Sequence, residues 1–141
     1  MIDQLAKTLD APYLLLNGED FAVQEMLARR SVQHYRNFLG EKRILLIDEA
    51  QKIPNIGSIL KLMVDGIEGI RILVTGSSAF DIGNYTGEPL TGRKKTFHLL
   101  ALSETEFDQI EDPIAKRDNL RTRLIYGNYP ELIHMPELAE K

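Results

Sequence analysis

Two carboxylates, Asp48 and Glu49, stand directly after the apolar run Ile44-Leu45-Leu46-Ile47. A short continuous apolar run of this kind reads as a strand covered on both faces within a parallel sheet. Ligands of such sheets bind outside the carboxyl ends of the strands, which is where the two acids stand. An aspartate there can hold Mg2+ or its bound water, and the adjacent glutamate can polarise a water for attack on a γ-phosphate. The same pattern also suits an ordinary strand that leaves the core with two solvated carboxylates.

A second polar cluster, Thr75-Gly76-Ser77-Ser78, ends the apolar run Ile72-Leu73-Val74, 27 residues after Asp48. One helix-sized connection lies between, so the two strands are expected to be neighbours. A hydroxyl of Thr75 or Ser77 would then lie beside the carboxylates and help to position water or sense a γ-phosphate. Ser77 or Ser78 equally suits a helix N-cap. Arg93, after Gly92 in a loop, carries a planar fork that stays ionised and matches phosphate oxygens, from its own subunit or a neighbour. Its alternative is a solvated loop cation beside Lys94 and Lys95.

Other chemistries find less support. Cysteine is absent, which removes disulfides, thiolate metal sites and thiol nucleophiles, and agrees with a reducing, cytoplasmic location. His34, His98 and His134 are scattered without metal-ligand spacing. No third carboxylate or histidine at a supporting spacing completes a metal pair with Asp48 and Glu49, so a metal-dependent nuclease fits poorly. The net charge of −4 gives the segment no footprint for a polyanion, and nucleic acid is not indicated. The start, Met1-Ile2-Asp3-Gln4-Leu5-Ala6-Lys7, has no leader pattern, and no apolar run approaches the roughly 18 residues of a membrane span.

The elements that must position these residues are legible in outline. Residues 2–9 are expected to form a short helix, stopped by Asp10-Ala11-Pro12, and Tyr13-Leu14-Leu15-Leu16 a buried strand ended by Asn17-Gly18. One amphipathic helix is expected over residues 21–38, stopping at Gly40. The strand at residues 43–48 follows, then a helix carrying Ile56, Ile59, Leu60, Met63, Val64 and Ile67, then a strand at 71–75. Residues 96–100 read as a last strand. Ser103 with Glu106 has the form of a capping box, and residues beyond Pro113 read as helical to about Ile125, with a break at Gly127 and Pro130. Alternation of strand and helix implies α/β architecture, with a mostly parallel sheet and right-handed crossovers. The polar stretch Glu111-Asp112-Pro113 marks the expected boundary between a core, residues 1–110, and a helical tail, residues 111–141.

Four motifs in order carry a resemblance. They are Ile44-Leu45-Leu46-Ile47-Asp48-Glu49-Ala50-Gln51-Lys52-Ile53-Pro54, Leu73-Val74-Thr75-Gly76-Ser77-Ser78, Leu90-Thr91-Gly92-Arg93 and Leu102-Ser103-Glu104-Thr105-Glu106-Phe107. Together they resemble a prokaryotic AAA+-type P-loop ATPase family that usually carries a C-terminal domain of unknown function. Tyr126-Gly127-Asn128-Tyr129-Pro130-Glu131 is similar to the Gly-Gly-Tyr-Pro-Glu stretch that follows the ATPase core in that family. The resemblance implies a three-layer P-loop core using ATP and Mg2+. It makes Asp48 the Walker-B magnesium aspartate, Glu49 the catalytic glutamate, Thr75 or Ser77 the sensor-1 group, and Arg93 a finger or sensor arginine. Gln51 matches the family pattern without a separate physical role.

The departure from the family lies in the phosphate-gripping loop. Nothing in the chain reads G-x-x-x-x-G-K-[ST], and Lys7 lacks the glycines that would wrap amides around phosphates. The expectation is therefore a chain that lacks the Walker-A strand and is inactive by itself, or else a non-catalytic interaction module that keeps the ATPase sheet. By the resemblance, the Walker-A strand would lie between the strand ending at Thr75 and the one at residues 96–100. Either the latter slides over to pair with the former, or an exposed sheet edge promotes self-association. The client moved by such an ATPase is not encoded in these motifs.

Overall fold

In the computed structural model, which describes residues 2–76, 92–110, 112 and 115–130, three apolar runs become strands. They are β1 (Tyr13–Asn17), β2 (Ile44–Asp48) and β3 (Arg71–Val74). All pair in parallel in the order β1-β2-β3, with Asn17 opposite Asp48 and Ile47 opposite Val74. The register therefore brings the polar ends of the first two strands to one level.

Alternation along a strand sends successive side chains to opposite faces. Leu45 and Ile47 of β2 join one buried cluster with Leu27, Tyr35, Leu39, Ile59 and Met63, which come from α2 (Phe21–Ala28), α3 (Val32–Leu39) and α4 (Ile56–Gly66). Ile44 and Leu46 face the other way and pack on Ile2 and Ala6 of α1 (Ile2–Ala6). Helices thus cover both faces of a parallel sheet, and the expected three-layer α/β architecture stands. Leu45 and Ile47 are fully buried, each contributing about 1.5–3 kcal/mol of transfer free energy. A Leu45→Ala or Ile47→Ala change would loosen the strand that carries Asp48 and Glu49.

The expected single helix over residues 21–38 is two helices. Arg30 has a left-handed φ of 46°, and Ser31 is extended, its hydroxyl accepting from the His34 amide at 3.4 Å. An N-cap serine in extended conformation starts a new helix rather than continuing an old one. Apolar periodicity runs on across the break because both helices turn their apolar sides to the same cluster. The Tyr35 hydroxyl donates to the Leu27 carbonyl at 2.5 Å, satisfying a carbonyl that the end of α2 leaves without an intrahelical partner. Burial raises the Tyr35 phenol above its ordinary value, so it stays a donor at neutral pH. Gly40, with φ 58°, stops α3 as expected.

The chain divides into two compact units, residues 1–95 and 96–141. In the second, Ser103 and Glu106 form the anticipated capping box at the start of α5 (Glu104–Phe107). The Ser103 amide and hydroxyl donate to Glu106 and hold its carboxyl below the usual range. The helix beyond Pro113 is α6 (Ala115–Tyr126), closed by Gly127 at φ 81°. Its Arg123 is buried, lies over the Phe107 ring at 4.7 Å and bonds Glu104 at 3.2 Å. Residues 96–100, by contrast, are not a strand: they have no regular structure, and Phe97, Leu99 and Leu100 are exposed. Their β-forming composition is insufficient because a strand exists only where a neighbouring edge takes up its N–H and C=O groups. Among the described residues no strand pairs with this segment.

Residues 96–100 therefore do not slide over to pair with β3, and among the described residues no strand lies on the outer edge of β3. We expect this edge to drive self-association, seen as a concentration-dependent mass in sedimentation equilibrium. A strictly monomeric mass at high concentration, with the sheet intact, contradicts this. Among the described residues no helix is long and apolar enough to cross a membrane.

Candidate functional site

The site is built where β2 leaves the sheet. Asp48 ends the strand half-buried, and Glu49 follows in the left-handed region at φ 51° and ψ 42°. A non-glycine residue held there costs about 1–3 kcal/mol and persists only where its surroundings over-determine it. Here they do. The Ala50 amide donates to the Thr75 carbonyl at 2.9 Å, and Ala50–Lys52 closes into a single 3-10 turn with Ala50 and Ile53 buried in the core. The turn is pinned on both sides of Glu49, and the chain cannot relax into an extended exit.

Thr75 lies one residue beyond β3, its amide continuing the ladder to the Ile47 carbonyl at 2.9 Å. Its hydroxyl donates to Asp48 Oδ1 and accepts from the Glu49 amide at 3.3 Å. One threonine therefore ties the aspartate side chain to the glutamate backbone. Asp48, Glu49 and Thr75 are brought together as the spacing of the motifs anticipates.

Two contributors had no site role assigned from the sequence. Gly18 donates its amide to the Asp48 carbonyl at 2.8 Å, and a Cβ built on it would lie 2.4 Å from the Glu49 carbonyl oxygen. Only glycine permits so close an approach of two backbones. The pair Asn17-Gly18 reads in the sequence as a strand stop, and its place at a strand's carboxyl end was the available signal. Gln24 supports the same peptide, donating to the Gly18 carbonyl at 2.7 Å. The second is Gln51, whose amide donates to Glu49 Oε2.

Arg93 is not brought to these groups. Its guanidinium pairs with Asp65 in the last turn of α4. α4 starts near the carboxyl ends of the strands and runs back to the start of β3, so Arg93 sits toward the opposite end of the sheet. Ser77 and Ser78 lie outside the described residues.

A magnesium ion usually takes hard oxygen ligands from one or two carboxylates together with water and substrate phosphates, rather than from an all-protein cage. The donor set fits that pattern: Asp48 and Thr75 present hard oxygens. Among the described residues no group of three or more His, Cys, Asp or Glu is placed to hold a metal alone.

This arrangement can be set beside known proteins. Two proteins, one of Mycobacterium bovis and one of Mycobacterium tuberculosis, each described as uncharacterized, are 34% identical to this chain over 65 residues. The matched stretch is 45% of this chain and 15% of each relative, so the chain matches only a small part of either. No solved structure matches. The family model described as an AAA domain matches residues 1–108, a span that contains the sheet and every described site residue. The chain that places Asp48, Glu49 and Thr75 at the carboxyl ends of adjacent parallel strands belongs to the AAA domain family of P-loop ATPases.

Proposed function

We propose that this chain supplies the Walker-B and sensor-1 half of a cytoplasmic ATPase, within a core over residues 1–110 followed by the helical tail 111–141. Membership of the AAA family implies nucleotide and Mg2+ use in general. The observation that carries the finer reading is the Thr75 hydroxyl, joined both to Asp48 and to the Glu49 amide. Asp48 holds the metal side of the site, and Mg2+, when bound, neutralises charge on the phosphates. Glu49 orients a water and accepts its proton as that water attacks the γ-phosphorus, the bond from phosphorus to the bridging oxygen breaks and ADP leaves. Thr75 keeps the Asp48 carboxylate in one position relative to the Glu49 backbone, so that water and metal face the same phosphate. With Arg93 held toward the far end of the sheet by Asp65, a phosphate contact for it calls for the nucleotide of a neighbouring subunit.

Thr75→Val in the full-length protein tests the linkage, because valine keeps the shape and removes the hydroxyl. Phosphate release from Mg-ATP is expected to fall roughly 10- to 100-fold, the effect of losing a hydrogen bond to a charged group of about 1.5–3 kcal/mol. An unchanged rate removes Thr75 from the site. Absence of any phosphate release from the wild-type protein favours the non-catalytic module instead.

A further inference from the structure

We infer that Gln51 is the positioning residue for Glu49, holding its carboxylate in the orientation in which it acts. This rests on Glu49 being the base. The left-handed turn at Glu49 and the 3-10 turn after it fold residue 51 back toward residue 49, and the Gln51 amide nitrogen donates to Glu49 Oε2. The other end of the same amide, Oε1, is shut off from solvent and has no hydrogen-bond partner among the described residues. Turning the amide over would not help, since Oε1 would then face a carboxylate oxygen, acceptor against acceptor.

That combination argues for a role beyond packing. A buried carbonyl oxygen without a donor is unfavourable, and a methionine of similar length would fill the space without it. The side chain is offset only by its charge-assisted bond to Glu49, so the structure commits Gln51 to that carboxylate. With Oε2 occupied, Glu49 loses rotational freedom and presents Oε1 to a water, which is what a positioned base requires. Gln51 touches neither metal nor nucleotide in this scheme. It acts through Glu49.

The test is a cycle in the full-length protein of Gln51→Met, Glu49→Gln and the two combined. Gln51→Met is expected to lower kcat roughly 10- to 100-fold, the size found when the supporting hydrogen bond of a functional ligand is removed, with KM for ATP unchanged. In the Glu49→Gln background the same change is expected to do nothing further, because there is no base left to position. Wild-type kcat in Gln51→Met beside a slow Glu49→Gln overturns the role of Gln51 alone, as do losses that multiply in the double variant. Wild-type turnover in Glu49→Gln overturns the reading of Glu49 itself. A second measurement needs no turnover. In the 141-residue chain, one Gln51 side-chain amide proton should resonate downfield and exchange slowly, and return to ordinary values in Glu49→Ala while the β2 amide signals stay in place. A Gln51 amide indifferent to Glu49→Ala overturns the inference.

Discussion

Glu49→Gln in the full-length protein is expected to lower ATP turnover by about 10²–10⁴-fold, the span of lost general-base help, with little change in ATP affinity. The physical reason is a separation of tasks within two residues. Glutamine has the size of glutamate, and its carbonyl oxygen still accepts from the Gln51 amide, so the pinned turn and its packing survive. What it cannot do is take a proton from water. Asp48, tied separately by the Thr75 hydroxyl, keeps the metal side of the site, so nucleotide binding is not the quantity that falls. Phosphate release and nucleotide titration on the same preparation check both halves. A wild-type rate takes Glu49 out of the chemistry, and equal losses in rate and affinity assign it to binding instead.

The second large effect concerns binding by the 141 residues themselves, which are expected to hold Mg-ATP more weakly than about 1 mM, or −4.1 kcal/mol. In P-loop proteins a row of backbone amides and a lysine grip the phosphates, and no G-x-x-x-x-G-K-[ST] occurs in this sequence. The side chains at the carboxyl end of β2 are acidic. Asp48 and Glu49 bring negative charge toward a negatively charged ligand, and Arg93, the arginine the motif pattern offers to the phosphates, is engaged by Asp65 toward the other end of the sheet. Titration calorimetry of the 141-residue chain with Mg-ATP reads this directly. Micromolar binding refutes the expectation, and the absence of binding heat up to millimolar nucleotide supports it.

Several features of the molecule were readable in the chain alone, and they share a property: their physics is contained within a few consecutive residues. The apolar run before Asp48 reads as a strand buried on both faces because it carries no polar residue that could mark a solvent side, and Leu45 and Ile47 are indeed fully buried. Ser103 and Glu106 satisfy each other's backbone across one turn, so the helix start at residue 103 needs no other part of the protein. Asp48, Glu49 and Thr75 could be grouped because two parallel strands joined by one helix leave little freedom in where their ends lie.

Tertiary structure decided the rest, wherever a residue's role depends on a partner distant in sequence. Residues 96–100 have a strand's composition and no strand's structure, since pairing belongs to two chain segments and not to one. The break at Arg30 is invisible to periodicity, because two helices packed on one cluster display the same apolar spacing as one. Gly18 is needed for a backbone 31 residues away, and only the β1-β2 register brings its amide onto the Asp48 carbonyl and its missing Cβ against Glu49. Gln51 faces Glu49 only because Ala50 is tethered to Thr75, which bends the intervening chain. Residue types determined which chemistry this segment could perform; the register and the tethered turn determined which side chains stand close enough to perform it, because hydrogen bonds act over about 3 Å and sequence spacing alone does not specify distances that short.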